Sequence, residues 1–165
     1  MLSLKWGDVL SMLLPGAVAL FALRAWIPAL NDQVKDIQKV GVAESFALLI
    51  AAALLGGVLE AFTRVTWERY WLVKRCPSPN ILDKLNNTNL ELYERGVQSS
   101  YKWTTFYANL SWASVALLVS LWHRGSAIFS LSTLVILAVI ILLLRASHVQ
   151  WTYYVNYQTK VFGGK

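Results

Sequence analysis

Two charges sit inside apolar sequence: Arg24, late in LLPGAVALFALRAWIPAL, and Glu44, early in VAESFALLIAAALLGGVLEAF. If these stretches cross a bilayer in opposite directions, helical rise puts Arg24 about 9 Å below the outer end of the first and Glu44 about 3 Å below that of the second. Flexible side chains at those depths can meet. A charge in lipid costs about 2.5–3.5 kcal/mol or more on insertion scales, and pairing or reaching outward to headgroups reduces that cost. Arg24 and Glu44 are therefore expected to pin two helices together or to line a polar route through the membrane.

A second group alternates bases with aromatics. RVTWERYWLVKR carries Arg64, Arg69, Lys74 and Arg75, and WTYYVNYQTK carries Trp151, Tyr154 and Lys160. Such a pattern suits anionic membrane lipid, because each Lys or Arg near that surface is worth about 1 kcal/mol. The alternative use of the same pattern is a docking face for a cytosolic protein. Stacking of a nucleotide or nucleic acid on Trp151, Tyr153, Tyr154 or Tyr157 is disfavoured, since aromatic membrane belts have the same composition. Glu60, Arg64 and Glu68 are spaced i,i+4, as for ion pairs along a helix surface.

Other chemistry lacks its residues. No phosphate loop, nucleophile elbow or pair of catalytic carboxylates occurs, so an enzyme, including a lipid-modifying one, is disfavoured. His123 and His148 stand apart and Cys76 is the lone cysteine, so neither a metal site nor an internal disulfide is expected, and no cofactor is implied.

The elements that must position these residues follow from hydropathy. With 165 residues, 56% of them hydrophobic, the chain is too apolar to hide its side chains in one soluble core. An all-α integral membrane protein is expected. Four segments can cross about 30 Å of hydrocarbon: Val9–Leu30, Val42–Phe62, Thr105–Trp122 and Ser126–Arg145. The third is the most dilute, because Asn109, Ser111, Ser114 and Ser120 interrupt it. Ala17-Val18-Ala19 imitates a signal-peptide cleavage site, but the segment is read as a retained anchor.

Counting Lys and Arg beside the spans places eleven on one side, against three on the other plus Arg24 just inside the membrane. Both termini are thus expected in the cytoplasm. Residues 63–104 hold seven bases and four acids, and residues 145–165 hold three bases and no acid. The whole net charge of +6 then falls on the cytoplasmic face. Four regions result: a first transmembrane hairpin (1–62), a cytoplasmic helical hairpin broken at CPSPN (63–104), a second transmembrane hairpin (105–145) and a helical tail (146–165).

The second span has small residues at close-packing intervals, among them Ala47, Ala51, Gly56 and Gly57. In lipid, such faces let helix backbones approach closely. They serve either packing within the chain or a homo-oligomer interface, and self-association is the expectation because four short helices bury little of one another.

An early LLPG and an acid-to-arginine turn closing span two, LEAFTR, resemble small four-span prokaryotic membrane proteins. Some of these belong to anti-phage defence systems, and the Kiwa-type membrane subunit is similar in plan. The resemblance implies an oligomeric inner-membrane component that senses envelope disturbance or acts as an effector beside a cytosolic partner. It transfers no site residue. The resulting expectation is a non-enzymatic sensor or effector module docking a cytosolic protein, with a small channel or transporter as the alternative.

Overall fold

A computed structural model describes residues 6–27, 41–75, 89–125 and 130–162. Among them every regular element is a helix. Helix α1 covers Trp6–Leu23 and α2 covers Val42–Thr63. Helix α2 runs on without a break through a π-helical stretch, Arg64–Leu72, and a last turn, Val73–Arg75. A short α3, Leu90–Gly96, passes through a second π-helical stretch, Val97–Tyr101, into α4, Lys102–His123. Helix α5 is a single rod, Leu131–Phe162.

Three of these helices are long and apolar enough to cross a membrane: Glu44–Leu72, Lys102–His123 and Leu131–Phe162. The described apolar part of α1, Ser11–Leu23, is shorter. This helix ends at Leu23 rather than at the expected Leu30. The reason is local: Pro28 offers no N–H and disfavours helical backbone at Ile27, and Arg24, Ala25 and Trp26 form a closing turn. The expected break at CPSPN lies outside the described residues.

Pairwise contacts give the topology. Gly16 meets Ala52 and Gly56, and Gly56 meets Met12, so α1 and α2 are antiparallel. Thr104 meets Ser147, and Tyr101 meets Trp151 and Tyr154, so α4 and α5 are antiparallel too. Helix α4 lies in the middle, touching α1, α2 and α5.

The polar residues that made α4 look dilute explain that position. Thr104, Thr105, Asn109, Ser111, Ser114 and Ser120 are all buried, interleaved with Ala108 and Ala113. Small side chains admit close neighbours, and most of these hydroxyls are satisfied within the helix. Ser111 donates to the Tyr107 carbonyl at 2.9 Å and Ser114 to that of Leu110 at 2.8 Å. Helices α2 and α5 show the opposite distribution, with Phe46, Leu54, Val58, Ile141 and Leu142 all exposed. So much bare apolar surface is stable only against lipid or another protein.

Candidate functional site

Helices α2 and α5, with the π-helical extension of the former, exceed the roughly 20 residues that a bilayer requires. Both overrun at the same end of the bundle, where they meet α3 and the start of α4. A second core forms there, from Leu72, Trp151, Tyr154 and Val155, with Trp67, Val97 and Tyr101 packed around it. Ser147, fully buried, ties three segments together: its hydroxyl donates to the Thr104 carbonyl at 2.9 Å and accepts from Trp67 Nε1 at 3.2 Å. Tyr157 adds a third tie, to a fourth segment, by donating to the Leu92 carbonyl at 2.8 Å.

Beside this core lies a charged cluster. Arg64 donates to Glu60 at 2.7 Å, the i,i+4 pair expected from sequence. Glu68 does not continue that ladder. It accepts instead from the Tyr101 hydroxyl, at 3.0 Å to Oε2 and 3.3 Å to Oε1. The wider π-helical turn between Arg64 and Leu72 changes the angular register, so Glu68 faces the neighbouring helix rather than Arg64. The Arg64 guanidinium carbon lies 5.9 Å from the centre of the Tyr101 ring. Two clefts share Arg64 and Tyr101. One, of about 350 Å³, runs between α1, α2 and α4; the other, of about 210 Å³, is lined by Arg64, Glu68, Arg69, Val73 and Tyr101.

Burial and the adjacent Glu68 carboxylate push the Tyr101 hydroxyl up from 10.0 to about 12. It therefore stays a protonated donor throughout neutral pH. A raised folded-state value means that the stabilisation is fully present below pH 10 and is lost as pH rises through about 12. Burial pushes the Tyr154 hydroxyl up as well, so spectroscopic titration of tyrosinate should show one late-titrating tyrosine fewer in Tyr101→Phe than in the parent. Removing that hydroxyl leaves Glu68 one hydrogen bond short, so the variant should lose about 1–3 kcal/mol of stability.

The sequence-derived candidates divide. Arg24 and Glu44 do not meet: the Arg24 guanidinium carbon sits 3.5 Å from the centre of the Phe21 ring, whereas Glu44 accepts from the Gly41 backbone N–H at 2.9 Å. Among the described residues, Arg124, not an acid, is the charge near Arg24. The small-residue stripe on α2 splits as well. Gly56 packs against the α1 backbone inside the chain, while Ala47 is exposed, Ala51 is half-buried and Gly57 meets open space.

Trp151 and Tyr154 require a correction. Both are buried in the second core and are unavailable to a ligand or partner. Their exposed counterparts are Tyr70, Trp71 and Tyr153. Arg69, Lys74 and Lys160 are exposed, and the Lys74 ammonium lies 5.4 Å from the centre of the Tyr70 ring. Arg75 ends the α2 extension, and its side chain lies outside the described residues. Sequence reasoning missed the Glu68–Tyr101 bond and the Ser147 hub, both of which join residues distant in the chain.

No protein-family model matches this chain, and neither curated proteins nor solved structures yield a significant match.

Proposed function

We propose that the chain is a four-span protein of the cytoplasmic membrane, with α1 as the fourth crossing and both termini in the cytoplasm. It works as a non-enzymatic sensor or effector module that docks a cytosolic protein. The observation that carries this reading is the α2 extension. Arg69, Tyr70, Trp71, Val73 and Lys74 are all exposed on one rigid helix that overruns the span. Exposed aromatics beside cations make a surface that suits a protein interface, since rigid rings supply contact area and the charges steer an acidic partner. The second core couples that surface to α4 and α5 through the Ser147 hub, so a docked partner can bias helix packing in the membrane.

Self-association is assigned to the outward face of α2, where Ala47 and Gly57 stay uncovered by the chain itself. The resemblance carried by LLPG and LEAFTR favours a defence setting, in which the module relays envelope disturbance to the docked protein.

The test uses full-length protein purified from its own membranes in mild detergent. The triple variant Arg69→Gln, Lys74→Gln, Arg75→Gln should retain at least tenfold less of the co-purifying cytosolic partner, with α-helical content and oligomer size unchanged. Full retention by the triple variant overturns the docking face.

A further inference from the structure

The larger cleft has a composition that neither helix packing nor partner docking uses. Its lining includes Met12 of α1, Glu60 and Arg64 of α2 and its extension, and Lys102, Phe106 and Asn109 of α4. Two contacts fix the register of α2 against α4: Glu68 with Tyr101, and the Phe62 ring edge-on to Trp112 at 5.1 Å. Because the helices are antiparallel, Glu60 and Arg64 then lie opposite the turn from Thr105 to Asn109. Base, acid and amide therefore share one layer of the bundle.

Asn109 is the informative member. It is 1% exposed, and its carbonyl oxygen Oδ1 is buried with no hydrogen-bond partner among the described residues. A buried acceptor left unpaired costs about 1–3 kcal/mol, so the amide calls for a donor that the described residues do not supply. The same cleft presents the Arg64 guanidinium, 55% exposed at the side chain, whose remaining N–H groups can take an anion. Glu60 and Asn109 Oδ1 are acceptors for a cation that carries N–H groups. Met12 and Phe106 supply apolar wall.

We propose that this cleft holds the headgroup of a phospholipid bearing a primary ammonium, of the phosphatidylethanolamine class. The phosphate is bound by Arg64, and the ammonium donates to Asn109 Oδ1 and Glu60. A quaternary headgroup such as phosphocholine has the same charge but no N–H, and so leaves Asn109 unpaired. The soluble zwitterion O-phosphoethanolamine carries the same polar chemistry without the acyl chains that the apolar wall of Met12 and Phe106 favours. The inference rests on the membrane placement of α2 and α4 and is independent of the docking face on the α2 extension.

The test measures lipid retained on the purified full-length protein by native mass spectrometry, from equimolar phosphatidylethanolamine, phosphatidylcholine and phosphatidylglycerol. One charge-assisted hydrogen bond corresponds to about tenfold in affinity, so phosphatidylethanolamine should exceed phosphatidylcholine by about that factor. Asn109→Leu should bring the ratio close to one while the protein melts no lower than the parent, because it removes a buried unpaired group. Arg64→Gln should weaken both phospholipids alike. Equal retention of the two lipids by the parent protein, or an unchanged ratio in Asn109→Leu, overturns the proposal. Preference for phosphatidylglycerol overturns the zwitterion assignment, and displacement by millimolar O-phosphoethanolamine overturns the lipid as occupant. Loss of partner binding in the Arg69, Lys74, Arg75 variant leaves all these readings unchanged, so the two proposals fail separately.

Discussion

Gly16→Ala should lower the thermal midpoint of the detergent-solubilised protein by about 10 °C, and Gly56→Ala should do the same. A Cβ at Gly16 would lie 1.7 Å from the Ala52 carbonyl oxygen and 2.9 Å from the Gly56 nitrogen; one at Gly56 would lie 2.1 Å from the Met12 carbonyl oxygen. These obstacles are backbone atoms, which cannot swing aside as a side chain can. Helices α1 and α2 must therefore separate along the whole seam, losing the dispersion contacts that hold helices together where lipid supplies no hydrophobic drive. Overpacking of this severity costs about 3 kcal/mol, which for a chain of this size converts to the stated shift. Gly57→Ala is the control for this seam, read on the monomeric species because Gly57 is also assigned to the face between copies. Nothing lies within 4 Å of its Cβ position, so the midpoint should hold or rise slightly from better helix propensity. Equal behaviour of Gly56→Ala and Gly57→Ala in differential scanning would contradict the close α1–α2 seam.

The second large effect is expected at Ser147. Ser147→Val removes the hydroxyl and the acceptor on which Trp67 Nε1 depends, at a point where three helical segments meet. An indole N–H left unpaired costs about 1–3 kcal/mol, and a branched side chain in a site with no exposure adds packing strain. The loss should be local before it is global. Trp67 stacks on Trp71 at 5.4 Å, so near-ultraviolet circular dichroism from that pair should fall first, and amide exchange should rise in the α2 extension while α1 and the membrane part of α2 stay protected. Ser147→Cys, which keeps a weak donor and acceptor, should lie between the two. Uniform loss of protection across all helices would show that Ser147 does not act as a hub between layers.

How much of this was legible in the sequence depends on whether a feature is local. The continuation of α2 and α5 past the length a crossing requires could be read directly, because helical spacing persists with no breaker until Pro77 in one and until the closing glycines in the other. The Arg64–Glu60 pair was readable for the same reason, being one turn apart on one helix. The end of α1 was overestimated because its apolar run continues past Pro28, and hydropathy carries no memory of a missing N–H.

Helix α4 shows the opposite failure. Averaged hydropathy treats Asn109, Ser111 and Ser114 as weakness in a span, yet those residues face helices rather than lipid and mark the centre of the bundle. Trp151 and Tyr154 were misread because an aromatic in a belt and an aromatic in a core have the same composition. Only contact with Leu72 and Tyr101, far away in sequence, separates the two cases. The use of Gly16 as a contact point of two backbones depends on what lies across from it, which no local pattern records. The cleft was invisible for that reason too. Its base, acid and amide come from two helices, and a π-helical stretch sets their register.

The central claim is that the second core, with the ends of α2 and α5, lies on one side of the membrane and the Arg124 turn on the other. Single cysteines placed in a Cys76→Ser background at Lys74, Lys160 and Arg124 test it, with a membrane-impermeant maleimide applied to intact cells. Cysteine at position 124 should label in intact cells, and those at 74 and 160 only after permeabilisation. Labelling of positions 74 and 160 from opposite sides, or of 124 and 160 from the same side, would contradict the account.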